Sequence, residues 1–384
     1  MRNFVFHNPV KLVFGKGTIA QLPGLLPAGG RIMMTWGGGS IKANGVYDQV
    51  RAALQGRDIV EFPGIEPNPR YATLMKAVAV ARAEKPAFLL SVGGGSVLDG
   101  TKFIAAALMF AGPDPWDILE KGTAVTTAVP LGCVLTLPAT GSEMNGNAVI
   151  SRAETRQKLG FSSEAVMPRF SILDPETTYT LRPRQTANGI VDTMAHVFEQ
   201  YLTRDMHNPL NEGIAEAVLR VTIENGRSVL ARPRDYEVRA NLMWSATLAL
   251  NGLIGVNASH DWASHNIGHE LTAFHGLDHG QSLAVVFPNV LRFKRDAKRT
   301  MLARYARRVW GVTDPDDGDA GLAGVDRTVE FWRSLGVKTR LSEYGAGDEH
   351  FAEIADRLGG GDRRQGENGD LGFAEIQEIL RMSR

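Results

Sequence analysis

The chain has 384 residues, 43% hydrophobic and 22% charged, long enough for two or three domains. Its 42 basic residues balance 42 acidic ones, which argues against a general attraction to nucleic acid or anionic membranes. The single cysteine, Cys133, excludes an intramolecular disulfide and lends no support to secretion. No window approaches the ~20 apolar residues of a membrane span, and MRNFVFHNPVKLVFGKG lacks a sustained apolar stretch of the signal-peptide kind. The expectation is a cytoplasmic enzyme.

The first half alternates short apolar runs with helical patterns. RIMMTW (31–36) reads as a strand, followed by a glycine turn and a helix over about 41–55. DIVEF (58–62) is a second strand, the loop PGIEPNP follows, and a helix runs from about 70 to 84. AFLLSV (87–92) is a third strand, VPLGCVLTLP (129–138) a fourth and RFSILD (169–174) a later one. Strands this continuously apolar, separated by helices, predict a parallel sheet covered on both faces. Cys133 lies inside one of these runs, which points to a buried, inert thiol rather than a nucleophile. After Pro183 the segments QTANGIVDTMAHVFEQYLT, EGIAEAVLRVTIENGRSVL and VRANLMWSATLALNG carry helical periodicity. The predicted domains are therefore 1–183, α/β, and 184–384, mainly α-helical. TDPDDGDAG (313–321) and GGGDRRQGENGD (359–370) read as surface loops.

Two triple-glycine turns stand in the α/β half, Gly37-Gly38-Gly39-Ser40 and Gly93-Gly94-Gly95-Ser96. A strand that ends in glycines and opens a helix leaves bare backbone N–H groups at a helix N-terminus, where the dipole also favours phosphate. Taken alone, either run is a tight turn. Two of them, each ending a strand of the same sheet, point to a dinucleotide. Asp99 and Lys102 follow the second turn, and Lys102 is placed to reach a ribose or phosphate. NAD enzymes often hold the ribose 2′-OH with a carboxylate after a strand, yet no Asp or Glu occurs between Arg31 and Tyr47, where Lys42 stands instead. That favours NADP(H). The segment Thr136–Glu143 either lines the cofactor cleft or caps a helix through Thr140 or Ser142.

The helical half concentrates histidine. Asp192 and His196 are four apart, as are His265 and His269, and His275 and His279, so each pair would share a helix face. HELTAFH is not a zincin motif: its histidines are six apart, about 240° around a helix at ~100° per residue. One carboxylate with two or three imidazoles suits zinc or iron and leaves a position open for water or substrate. Spacing alone does not choose which histidines ligate. From Ala240 to Leu291 there is no Lys or Arg, so a pocket built from this region would lack a cationic clamp and suit a neutral, partly apolar substrate.

Over nearly its full length the chain resembles the iron-containing (group III) alcohol dehydrogenases. The resemblance is carried by FGKG (14–17), GGGSVLDGTK (93–102), LPATGSE (137–143), LDP (173–175), GIVDTMAHVFEQY (189–201) and the histidine region 260–280. It is similar in particular to the branch of NADPH-dependent aldehyde reductases and butanol dehydrogenases. That resemblance implies an N-terminal nucleotide-binding domain, a C-terminal helical metal-binding domain of the dehydroquinate synthase-like fold, and an active site in the cleft. It maps the metal ligands onto Asp192, His196, His265 and His279, with His269 beside the nicotinamide. It maps the cofactor contacts onto Gly37, Gly38, Gly39, Ser40, Gly94, Gly95, Ser96, Asp99, Lys102, Thr136, Thr140 and Lys158. His275 has no ligand role in that family. The implied enzyme is a homodimeric, Zn- or Fe-dependent, NADPH-linked aldehyde reductase or alcohol dehydrogenase. Its rivals are a dehydroquinate-synthase-like lyase, a glycerol or diol dehydrogenase, and a non-catalytic binding protein.

Overall fold

The computed structural model describes residues 3–384, which form two compact units. One comprises residues 7–181 and 232–247. The other comprises 182–231 and 248–384, with the first described residues up to Phe6.

The first unit is built on six parallel strands in the order β1-β8-β5-β4-β2-β3. These are β1 (Lys11–Phe14), β2 (Ile32–Trp36), β3 (Ile59–Phe62), β4 (Phe88–Gly94), β5 (Leu131–Leu137) and β8 (Phe170–Leu173). Helices α1 (Ser40–Ala43), α2 (Val46–Ala53), α3 (Tyr71–Glu84), α4 (Gly95–Met109) and α5 (Asp117–Glu120) connect them. Successive side chains of β4 enter opposite cores. Phe88, Leu90 and Val92 pack with Ile32, Met34 and Val134, whereas Leu89 packs with Met33, Val78 and Ile104. Both faces are thus buried, as near-continuous apolar strands require.

Three local features differ from the sequence reading. The helix expected over 41–55 is split into α1 and α2, because Gly45 takes φ 79° between them. An antiparallel hairpin, β6 (Asn147–Arg152) with β7 (Gln157–Ser162), lies where the sequence predicts no strand. Only Ala148 and Ile150 of β6 are buried apolar residues, too few for a clear pattern. Edge strand β1 escapes the sequence reading for the same reason, since only Val13 of its four residues is buried.

The second unit is helical, with α6 (Pro183–Tyr201), α7 (Pro209–Val229), α9 (Ala263–His275), α10 (His279–Phe293), α11 (Arg299–Trp310), α12 (Asp317–Ser334), α13 (Phe351–Gly359) and α14 (Phe373–Met382). Helix α8 (Tyr236–Ala249) has most of its length in the sheet unit. A single boundary at 183/184 therefore lies near the crossing at 181/182 and leaves residues 232–247 on the far side from the sheet they pack with. The Asp-rich run at 313–321, expected as loop, already contains the first turn of α12. Asp316 accepts hydrogen bonds from the backbone N–H groups of Gly318 and Asp319, a cap that turns acidic residues into a helix start. Helix α6 begins with Pro183 and is buried along nearly its whole length, packed against α7 and α10, and α10 also packs on α9. Among the described residues no helix is long and apolar enough to cross a membrane.

Candidate active site

The glycines of the second turn are required by packing. Strand β4 runs straight into α4 at Gly94–Gly95 with no connecting residue. A Cβ on Gly94 would lie 2.9 Å from that of Leu137, and one on Gly95 would collide with the Thr140 side chain. The turn therefore presents bare backbone at the N-terminus of a 15-residue helix, the arrangement that receives phosphate oxygens. At the first turn, Gly39 takes φ 105° and Ser40 opens α1. Gly38, Ser40 and Lys42 are exposed there. The Lys42 ammonium stands 4.7 Å from the ring centroids of both Trp36 and Tyr47, which holds a cation at the end of β2 without neutralising it.

Lys102 does not reach toward ligand. It is fully buried, and its ammonium donates to the carbonyl oxygens of Ser142 (2.7 Å), Asn145 (2.8 Å) and Asn147 (2.8 Å) and to the Ser142 hydroxyl (2.8 Å). Three N–H donors are thereby committed, so the expectation of a ribose or phosphate contact is corrected to one of loop support. Asp99 accepts from the Ser142 hydroxyl and from the Val149 backbone N–H. Burial raises its carboxyl, and the neighbouring charges of Lys102 and Lys158 act against that. Thr140 Oγ1 accepts the Ser142 N–H at 3.2 Å, just ahead of a three-residue 3-10 turn (Ser142–Met144) whose cap position is Gly141, without a side-chain cap. Thr136 and Lys158 are buried. Cys133 donates to the Ser171 hydroxyl, and burial pushes its thiol up to about 12, so it is no nucleophile at neutral pH.

In the helical unit Asp192, His196, His265 and His279 converge. One ligand atom from each lies within 4.8 Å of all the others. Asp192 Oδ1 is 3.7 Å from His196 Nε2 and 3.5 Å from His279 Nε2. Bonds of ~2.1 Å to a tetrahedral ion would put ligand atoms roughly 3.4 Å apart, so this set fits zinc or iron. Asp192 is 3% exposed and its Oδ1 receives no hydrogen bond. A buried carboxylate oxygen that accepts no hydrogen bond and faces imidazoles suits a cation. Asp192 and His196 come from one face of α6, His265 from the first turn of α9, and His279 is the first residue of α10. His275 and His279 do not share a helix face, contrary to the sequence reading. Gly276, at φ 68°, ends α9 between them, and the His275 ring lies 5.7 Å from that of His350, outside the cluster. His269 is half-buried, its ring centroid 5.1 Å from that of His279.

The residues behind the cluster escape the sequence reading. Glu199, two turns along α6 from Asp192 on the same face, meets His265 at 2.9 Å. Burial and nearby Asp261 push its carboxyl up to about 8, against the pull of backbone donors and Lys298. Asp261 pairs with Lys298 (2.8 Å) and Lys294 (3.3 Å), and Lys298 with Glu367 (2.8 Å). The signal available for Glu199 is the helical phase of 192, 196 and 199. The lysines lie too far along the chain to be legible.

Residues 9–175 match the family described as iron-containing alcohol dehydrogenase, and residues 186–382 match its C-terminal part. The chain is 50% identical to the NADPH-dependent aldehyde reductase YqhD of Escherichia coli over the whole of both chains. It is 42% identical to the probable NADH-dependent butanol dehydrogenase 1 of Bacillus subtilis over 93% of each. The crystal structure of E. coli K-12 YqhD superposes with a TM-score of 0.97, covering 100% of this chain and 99% of that one. That of the NADH-dependent butanol dehydrogenase A of Thermotoga maritima gives 0.95 at 37% identity, with 100% and 99% covered.

Proposed function

Because the chain belongs to the iron-containing alcohol dehydrogenase family, we propose that it is a metal-dependent, NADPH-linked aldehyde reductase and, in reverse, an alcohol dehydrogenase. The observation that carries this reading is the convergence of Asp192, His196, His265 and His279 in a protein that also holds a strand–glycine–helix phosphate turn. Asp192 and the three imidazoles hold the divalent ion, Zn or Fe. Gly37 to Ser40 and Gly94 to Ser96 receive the dinucleotide, with Asp99 and Thr140 shaping the second turn. When bound, the metal supplies Lewis acidity toward the carbonyl oxygen and the reduced nicotinamide supplies hydride for its carbon. His269 is the imidazole we assign to carry the proton from its ring N–H toward that oxygen. The absence of Lys and Arg from 240 to 291 favours neutral short- to medium-chain aldehydes. We place the enzyme in the cytoplasm as a homodimer, with residues 1–183 as its cofactor domain, extended by the segment 232–247 that packs with it, and the rest of 184–384 as its metal domain.

The test is the initial rate of NADPH oxidation with butanal. We expect a rate that disappears with chelator and returns with Zn²⁺ or Fe²⁺. No rate with metal-replete enzyme on any short or medium aldehyde would sink the reading. A lyase of the same fold recycles its nucleotide, so net loss of NADPH absorbance separates the two.

Relatives named for NADH and for NADPH both occur, which makes coenzyme choice worth testing. Lys42 is the exposed cation at the first turn. A charge-assisted bond to a 2′-phosphate contributes about 1.5–3 kcal/mol, so Lys42→Ala is expected to lower the NADPH-over-NADH ratio of kcat/KM about 10- to 100-fold. An unchanged ratio would remove Lys42 from coenzyme selection.

A further inference from the structure

Behind His265 a single buried carboxylate residue touches the start of α9 at four points. Glu199 Oε1 lies 2.9 Å from His265 Nδ1 and accepts the His265 backbone N–H at 3.1 Å. Its Oε2 accepts the Trp262 backbone N–H at 3.0 Å, and its carbonyl oxygen accepts that of Asp261, also at 3.0 Å. Trp262, the residue preceding α9, sits at φ 62° and offers no side-chain cap of its own. That conformation is rare for a bulky residue and persists only where neighbours hold it. Glu199 does so, taking N–H groups that the helix would otherwise leave without acceptors. The Trp262 ring in turn packs edge-on against the His265 ring at 5.1 Å.

We propose that Glu199 is a positioning residue for the metal, one that accepts a hydrogen bond from His265 Nδ1–H and so fixes the tautomer and ring plane that present Nε2 to the ion. The backbone N–H groups of His265 and Trp262, with Lys298 beyond them, work against the burial that raises the Glu199 carboxyl and favour the carboxylate. Against a carboxylate, Nδ1 is the ring atom that brings the hydrogen. The remaining lone pair of His265 is then on Nε2. Carboxylate partners of this kind orient ligating imidazoles and raise their basicity. Asp261, Lys298 and Glu367 extend the same buried network away from the ion and anchor the segment without touching His265. The inference rests on the metal-centre reading above.

The test compares Glu199→Gln with Glu367→Gln. A glutamine behind His265 would keep the volume but offer an N–H₂ group to a row of donors. We expect the Zn²⁺ affinity of E199Q, read by chelator competition without substrate or coenzyme, to fall about 10- to 100-fold. The visible spectrum of the Co²⁺-substituted protein should change with it. E367Q should lower the melting temperature and leave both readouts alone. An E199Q protein with wild-type Zn²⁺ affinity and Co²⁺ spectrum would overturn the proposal. If E199Q does not fold, the histidine ¹⁵N resonances of the metal-free wild-type protein decide. A neutral His265 protonated at Nδ1 supports the assignment, and protonation at Nε2 overturns it. Failure of the wild-type protein to bind Zn²⁺ or Co²⁺ at all would overturn the metal centre itself, a result distinct from a Glu199 with no influence.

Discussion

Substituting His265 with alanine is expected to empty the metal centre and to lower kcat/KM for aldehyde by about 10³-fold or more. The argument is electrostatic. Reduction places negative charge on the carbonyl oxygen, and a divalent ion stabilises that charge by several kcal/mol. About 4 kcal/mol corresponds to that factor at 1.36 kcal/mol per decade. His265 stands in the middle of the ligand set, its ring 4.9 Å from that of His196 and 5.3 Å from that of His279. Without it, one carboxylate and two imidazoles from α6 and α10 remain. The His265 ring is buried, so the alanine also leaves a space beside Trp262 and lets Glu199 lose its ring partner. Metal content by mass spectrometry and NADPH oxidation with butanal should fall together. A His265→Ala protein with full metal occupancy and full rate would strike His265 from the ligands.

The second large effect concerns stability. Lys102→Met is expected to destabilise the sheet unit by about 3–5 kcal/mol, the range for removing one partner of a buried charged network. Burial lowers the Lys102 ammonium to about 8, with Asp99 opposing that shift, so the group is charged at neutral pH. It holds together the carbonyls of Ser142, Asn145 and Asn147, the very segment that leads into the β6–β7 hairpin. A methionine fills the volume but strands those acceptors in the interior. At ~2–4 °C per kcal/mol for a unit of this size, the melting temperature should fall by roughly 6–20 °C, while the KM for NADPH in the folded protein changes little. The reverse pattern, an intact melting temperature with a raised KM, would return Lys102 to the coenzyme contacts.

Much of this architecture is legible in the residues. Strands such as FLLSV, apolar at nearly every position, belong at the centre of a sheet buried on both sides, and this one ends where glycine permits a helix to start at once. The ligand pair on α6 is legible because helical periodicity is regular. What escapes is whatever depends on distance through space. Edge strand β1 and hairpin β6–β7 bury too few side chains to mark themselves. Lys102 looks like a phosphate ligand by its place after a glycine turn, and only the fold shows that the carbonyls of residues some forty positions away surround it. The spacing of His275 and His279 suggests a shared helix face, but Gly276 at φ 68° breaks the helix between them. Glu199 is on the expected face of α6, and its partners at 262 and 265 lie beyond any helical period.

The excursion of residues 232–247 into the sheet unit has a consequence for anyone recombining this protein with its relatives. Thr247 donates at 2.6 Å to the buried carboxylate of Glu143, Met243 packs with Leu135 and Leu173, and Trp244 meets Phe14 edge-on at 6.1 Å. A chimera cut once near residue 183 would supply those three side chains from the other parent, and a truncation there would remove the Thr247 donor from Glu143 and the Met243 side chain from Leu135 and Leu173. The exchangeable module is therefore discontinuous: residues 7–181 travel intact only when the segment 232–247 is transplanted with them.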